Sequence, residues 1–282
     1  MGRTPRKVEV LFHSHVTDVL AEGPALRGAV FSSRNGTNAA LGKRVIDCTG
    51  HVLLYTGRNL GKELPGDQLL LNVVRMLEVD PIDPKSLSRA EMLGRRYARV
   101  CADFYRRYVP GCKGSYFLDI SAQLGVRASR RVSGMATLTA YDVWNLRKFD
   151  DAVAKGAWEI DIHPANSYQK RALPDSTRYK EWIQKVKEGD YYDIRYGSLV
   201  PRDVENLCVA GRCISAEHSA QGSLRIQQTC MSLGYAAGAA GALSTDQDIP
   251  AKNVDPAAVQ KILIAHKKTV KPVFAALEHS LR

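Results

Sequence analysis

The chain has 282 residues with Lys+Arg 40 against Asp+Glu 29, a formal charge of +11 and a pI near 9.4, a length that suits one large domain or two modest ones. Hydrophobic residues at 45% and charged residues at 24% exclude a disordered, collagen-like or acidic-tail protein. No apolar run reaches bilayer length and the opening MGRTPRKVEVLFHSH lacks a signal-peptide core, so the expectation is a cytoplasmic chain with no membrane partner.

In chain order, Val8, Val10 and Phe12 alternate with polar neighbours as a strand does, a second strand runs from Leu26 to Phe31, and Asn35-Gly36 is a hairpin turn. A third strand, Arg44 to Asp47, ends in Cys48-Thr49-Gly50. Residues 67 to 78 and 86 to 108 read as helices separated by Pro81 and Pro84, with Ser86 or Ser88 capping the second. Further on, Tyr116 to Ile120 and Trp158 to Ile162 read as strands, Tyr141 to Leu146 and Asp150 to Lys155 as short helices, and 164 to 190 as a polar surface excursion. The last third contains a short buried strand, Leu207 to Ala210, a helix rich in small residues from Ser223 to Leu243, and a final helix over Pro256 to Leu277 interrupted near Pro272.

The six cysteines, Cys48, Cys101, Cys112, Cys208, Cys213 and Cys230, have no CxxC or other zinc-like spacing and are expected as free thiols. His13 and His15 share a strand face but have no third ligand, so no metal site is expected. The densest basic stretch, Arg89, Arg95, Arg96, Arg99, Arg106 and Arg107, has helical spacing and reads as a solvated face; without a compact basic block interleaved with aromatics, no nucleic-acid partner is expected.

Two strands run into glycine, VIDCTG at 45 to 50 and LCVAGRCIS at 207 to 215, where backbone can come close to a ligand because no Cβ intervenes. Taken alone, each is more often structural. The second carries more: Arg212, Ser215, His218, Gln221, Gly222, Ser223 and Arg225 lead into a helix whose small residues permit close packing on a sheet and whose N-terminus suits an anion or an electron-rich ring.

The order of these motifs resembles the C-terminal two-thirds of the FAD-dependent oxidoreductase family with a glutathione-reductase-like flavin fold, from about Val8 to Leu243. VIDCTG is similar to that family's second flavin motif, LGVRASRRVSGMATLTAYDV to its paired-arginine segment, FDDAVAKGAWEIDIHPA to its Asp-Ile-His segment, and NLCVAGRCISAEHSAQGSLRIQQTCMSLGYAAGAAGAL to its closing flavin motif. The resemblance implies an α/β fold, a partial Rossmann-like FAD-binding domain of glutathione-reductase type formed by 1–50 and 196–282, and a mixed α+β substrate-side cap over 51–195. Carried over by position, it places Gly211 and Arg212 at the ribityl and pyrophosphate region, Gly222, Ser223 and Leu224 at the ring edge, and Thr49 and Gly50 by the adenosine half.

Beside these, Arg127, Arg130 and Arg131 are expected either to bind a carboxylate or phosphate, Arg130 on the cofactor side, or to form interdomain salt bridges. His163 and His218 are the candidate proton acceptors, with Arg225 the charged residue beside them. The family opens with a GxGxxG unit that holds the ADP part of FAD, and this chain contains no GxGxxG. Three readings stay open: one half of a split enzyme, a truncated product, or a relative that has left flavin behind. The leading expectation is hydride transfer from a small polar organic substrate to FAD, in a homo-oligomer or with a partner subunit supplying the missing unit; the alternative is a non-catalytic scaffold.

Overall fold

The computed structural model describes residues 10–47, 74–117, 119–162 and 176–267. In chain order they form β1 (His15–Glu22), β2 (Ala25–Ser33), β3 (Gly36–Leu41), β4 (Val45–Asp47), α1 (Pro84–Tyr108), α2 (Ala140–Trp144), β5 (Ala152–Gly156), α3 (Ser176–Lys187), β6 (Tyr192–Arg195), β7 (Leu207–Val209), α4 (His218–Leu224), α5 (Gln227–Asp246) and α6 (Pro256–Lys267). The chain is therefore a mixture of helix and strand, consistent with an α/β class. Among the described residues no helix is long and apolar enough to cross a membrane.

The residues divide into two compact units, one of Met1–Cys48, Arg131–Ile160 and Lys180–Arg282, the other of Thr49–Arg130 and Asp161–Tyr179. In the first unit, β1, β2 and β3 form an antiparallel meander whose β2–β3 turn pairs Ser33 with Gly36, as the Asn35-Gly36 signal predicts. Its body is anchored by β4 and β7, a parallel pair with Ile46 opposite Cys208, and by the antiparallel pair β5 and β6.

The long helix α5 supplies much of this core. Ala236, Ala237 and Ala240 are fully buried, and a Cβ on Gly241 would come within 3.2 Å of Ile46, so small side chains let the helix lie close against the strands. Arg44 closes its C-terminal end, donating from Nε to Ser244 Oγ at 2.5 Å and from Nη2 to the carbonyls of Ser244 at 2.8 Å and Ile249 at 2.9 Å. A cation there satisfies orphan carbonyls and complements the helix dipole.

Several sequence expectations are corrected by tertiary partners. Residues 152–156 form a strand where a helix was expected, because β6 offers a ladder, pairing Lys155 with Asp193 and Gly156 with Tyr192, that overrides the helical preference of an Ala-rich stretch. The described part of the segment expected as a surface excursion, 176–190, contributes to the core instead: Trp182 on α3 is buried, donates from Nε1 to the Val143 carbonyl at 2.9 Å and packs edge-on against Trp144. Residues 158–162 and the described part of 116–120 join no strand ladder, nor do 10–14, and 74–78 are not helical.

In the second unit α1 begins on Asp83, whose carboxylate accepts from Lys85 N at 3.1 Å and Ser86 N at 3.0 Å, with Pro84 at the first helical position. The expected serine caps sit inside the helix; Ser86 Oγ instead accepts from Asp80 N at 3.0 Å.

Candidate functional site

The strand β7 is buried at Cys208 and Val209 and leads through buried Ala210 into a 3-10 turn, Gly211–Cys213. Gly211 has a φ of 74°, a left-handed conformation that a side-chain-bearing residue adopts only with strain. A Cβ here would sit 3.9 Å from Cys230 on the first turn of α5, so the turn and the helix start are packed together. Arg212 projects from this turn, and burial holds its guanidinium pKa below the ordinary value, with the neighbouring Cys230 and Cys213 thiols acting in the other direction. Burial pushes the Cys230 thiol up to about 11, so it is protonated and non-nucleophilic at neutral pH.

The two ends of α5 differ. Arg44 closes the C-terminus, but the N-cap residue, Ile226, offers no side-chain hydrogen bond to the first-turn amides. Exposed Gln227 and Gln228 occupy that first turn, where the helix carries partial positive charge.

His218 opens α4 and Arg225 caps its C-terminus, seven residues on, so about two helical turns bring them to one face. The charge of Arg131 acts on the same imidazole. The His218 pKa is lowered first by desolvation and then by the Arg131 and Arg225 guanidiniums, which keeps the ring neutral and able to accept a proton although the residue as a whole is solvent-exposed. A backbone lacing holds the chain after Arg131 in place: Val132 N donates to Cys213 O at 2.9 Å, Leu138 N to Ser215 O at 3.1 Å, and Glu217 N to Leu138 O at 2.9 Å.

The residues expected at a ring edge lie beneath this surface. Gly222, Ser223 and Leu224 are buried in α4, and Gly222 has helical backbone. Ser223 Oγ donates to the Trp158 carbonyl at 2.5 Å and so accepts from the Tyr192 hydroxyl at 2.7 Å. The helix expected to start near Ser223 is in fact two, because Ile226 takes extended backbone at ψ 153° and α5 begins at Gln227. The open helix end therefore follows Arg225 and Ile226.

Arg130 is exposed and ends a segment of the second unit, whereas its chain neighbour Arg131 starts a segment of the first. Of the paired arginines, Arg131 is the one whose charge lowers the His218 pKa, whereas the sequence reading placed Arg130 on the cofactor side. Thr49, Gly50 and His163 lie outside the described residues.

Two groups result: Gly211 and Arg212 beside Cys230 at the start of α5, and His218 with Arg225 and Arg131, joined by the Arg225–Ile226 turn and the Val132 N to Cys213 O hydrogen bond. A family model described as FAD dependent oxidoreductase matches residues 52–263, well over half of the chain, and spans every one of these groups. The chain belongs to that family. Membership carries a general oxidoreductase role and implies FAD binding. Comparison with curated proteins and with solved structures gives no match.

The donor set of this FAD dependent oxidoreductase fits one part of the cofactor. Arg212 and an uncapped helix start favour a group that gains negative charge, such as the pyrimidine edge of a reduced flavin, and Gly211 puts no side chain between them. The phosphate cradle of a GxGxxG turn is not among the 282 residues.

Proposed function

We propose that this chain forms the flavin-facing side of an FAD-dependent oxidoreductase that takes a hydride from a small polar organic substrate carrying a carboxylate or phosphate. When bound, FAD supplies the hydride acceptor. The arrangement that supports the reading is His218 at the start of α4 with Arg225 at its C-cap, where desolvation and the Arg131 and Arg225 charges lower the imidazole pKa. A substrate alcohol or amine must lose a proton as its hydride leaves, and a neutral imidazole is suited to receive it. The two guanidiniums would hold the substrate anion, and their charge disfavours the imidazolium until that anion offsets it. Arg212 and the start of α5 would face the flavin.

In this reading β4 and β7 are the surviving parallel strands of a Rossmann-like, glutathione-reductase-type domain. The ADP half of FAD would be held by chain beyond these strands, in this polypeptide or in a partner subunit of an oligomer.

The test is co-expression with the products of neighbouring reading frames, followed by flavin absorbance and turnover. A yellow complex is expected, in which His218→Gln retains flavin but loses about 100-fold in kcat together with the acidic limb of its pH profile. Arg225→Ala should raise KM for an anionic substrate more than it lowers flavin content. The second reading is a non-catalytic scaffold that does not bind flavin. A colourless assembly that takes up no FAD with any partner would establish it in place of the enzyme.

A further inference from the structure

The helix α1 is 25 residues long and carries seven Lys and Arg residues against two carboxylates, Glu91 and Asp103. At about 100° per residue, its apolar residues cover an arc wider than its own unit uses. Ala90 and Gly94 are buried on one part of that arc, with Leu87, Ala98, Cys101 and Tyr105 half-buried around them. On the adjoining part, Tyr97, Val100, Phe104 and Tyr108 form a stripe that is exposed at 45%, 59%, 54% and 69%. Phe104 and Tyr108 lie 5.2 Å apart between ring centroids, so the far end of the stripe is a small aromatic platform.

Arginines border this platform. Arg89, Arg96 and Arg107 fall along the free edge of the stripe with Arg99 next to them, and none of the four makes an ion pair or hydrogen bond among the described residues. The other two arginines are engaged, Arg95 with Glu91 at 3.8 Å and Arg106 with Asp103 at 2.6 Å. An exposed apolar stripe edged by uncompensated guanidiniums is more than the solvated face that the arginine spacing alone implies.

We propose that α1 is a peripheral docking face for an anionic lipid surface. Aromatic and aliphatic side chains would enter the acyl boundary while the long arginine side chains reach lipid phosphates, the arrangement of an interfacial helix that lies in the membrane plane. A chain of net charge +11 is drawn to such a surface as a whole. A second copy of the chain is a poorer occupant, because an antiparallel pairing of two α1 helices sets arginine row against arginine row. The proposal is independent of the flavin reading.

Co-sedimentation of the full chain with extruded vesicles tests it, using phosphatidylcholine alone and phosphatidylcholine mixed with phosphatidylglycerol. Binding is expected to the mixed vesicles and not to neutral ones. Arg96→Gln with Arg107→Gln, and separately Val100→Ser with Phe104→Ser, should each lower the bound fraction about tenfold while leaving the thermal midpoint in place, since all four residues are surface groups. Three outcomes overturn the idea: no binding to the mixed vesicles, binding that survives loss of Val100 and Phe104 and is therefore plain charge adsorption, or retention on immobilised polyglutamate without retention on vesicles, which would assign the face to an acidic protein.

Discussion

Residues 207–246 and residues 15–41 belong to the same compact unit but are held by different forces. In the later segment Val209, Ile214, Leu224 and Leu233 are fully buried, and the packing is between side chains. In the meander Val16, Val19 and Leu41 are exposed at 59%, 49% and 80%, only Leu26 and Gly28 are buried along β2, and cross-strand backbone hydrogen bonds set the register. A two-sided exposed sheet gains little from burial, so its side chains are replaceable; a core built on close approach tolerates almost no added volume.

The largest expected effect is Gly156→Val. A Cβ at Gly156 would lie 2.1 Å from the ring of Tyr192, which is fully buried and hydrogen-bonded through Ser223 to α4. The ring has no room to withdraw, and a loss of about 3 kcal/mol or more is expected by denaturant titration. An unchanged midpoint would show that the core packed against the closing segment through Tyr192 and Ser223 can take up added volume.

Ser223→Ala sharpens the contrast within the closing segment itself. It strips the buried Tyr192 hydroxyl of its acceptor and the Trp158 carbonyl of a donor, for a cost of about 1–3 kcal/mol. Flavin content of the folded variant should be unaltered, because the hydroxyl is already committed to protein partners. Flavin loss at unchanged stability would return Ser223 to the ligand surface.

A smaller effect separates His218 from the core beneath it. Its pKa is lower folded than unfolded, so the unfolded chain binds more protons between the two values. Stability is therefore full above the ordinary histidine value of about 6.5 and declines as pH falls through it, levelling off below the folded value. His218→Gln should flatten this part of the stability profile, a change kept small by solvent exposure. The smallest effect belongs to the meander, where Val19→Ser should shift stability by no more than about 0.5 kcal/mol. A larger loss would mean that this face is covered in the assembled protein.

Particular residues show how far local pattern reaches. Asn35-Gly36, the β7 strand and the run of helix from Ser86 to Tyr108 are legible because turn chemistry, a short apolar run ending in glycine and helical periodicity each act within a few residues. The Ala152–Gly156 strand is not legible, since its conformation is chosen by Tyr192–Arg195, some forty residues away. The break between α4 and α5 is hidden for a related reason: nothing local stops the helix at Arg225, and the turn lets Leu224 and Leu233, both fully buried, pack from two helices.

For the site, the sequence by itself determined the inventory: a glycine turn after a buried strand, Arg212, His218, Arg225, the paired arginines and a helix of small residues, in an order that carries the family resemblance. The tertiary structure alone decided which of these meet. It brought the charge of Arg131 rather than Arg130 to bear on His218, placed Cys230 against Gly211, and buried Gly222, Ser223 and Leu224 under the surface they were expected to line. The physical reason is range. Backbone preference and periodicity are properties of neighbouring residues, whereas the charge around an imidazole and the space around a glycine are set by whatever distant chain the fold brings within a few ångströms.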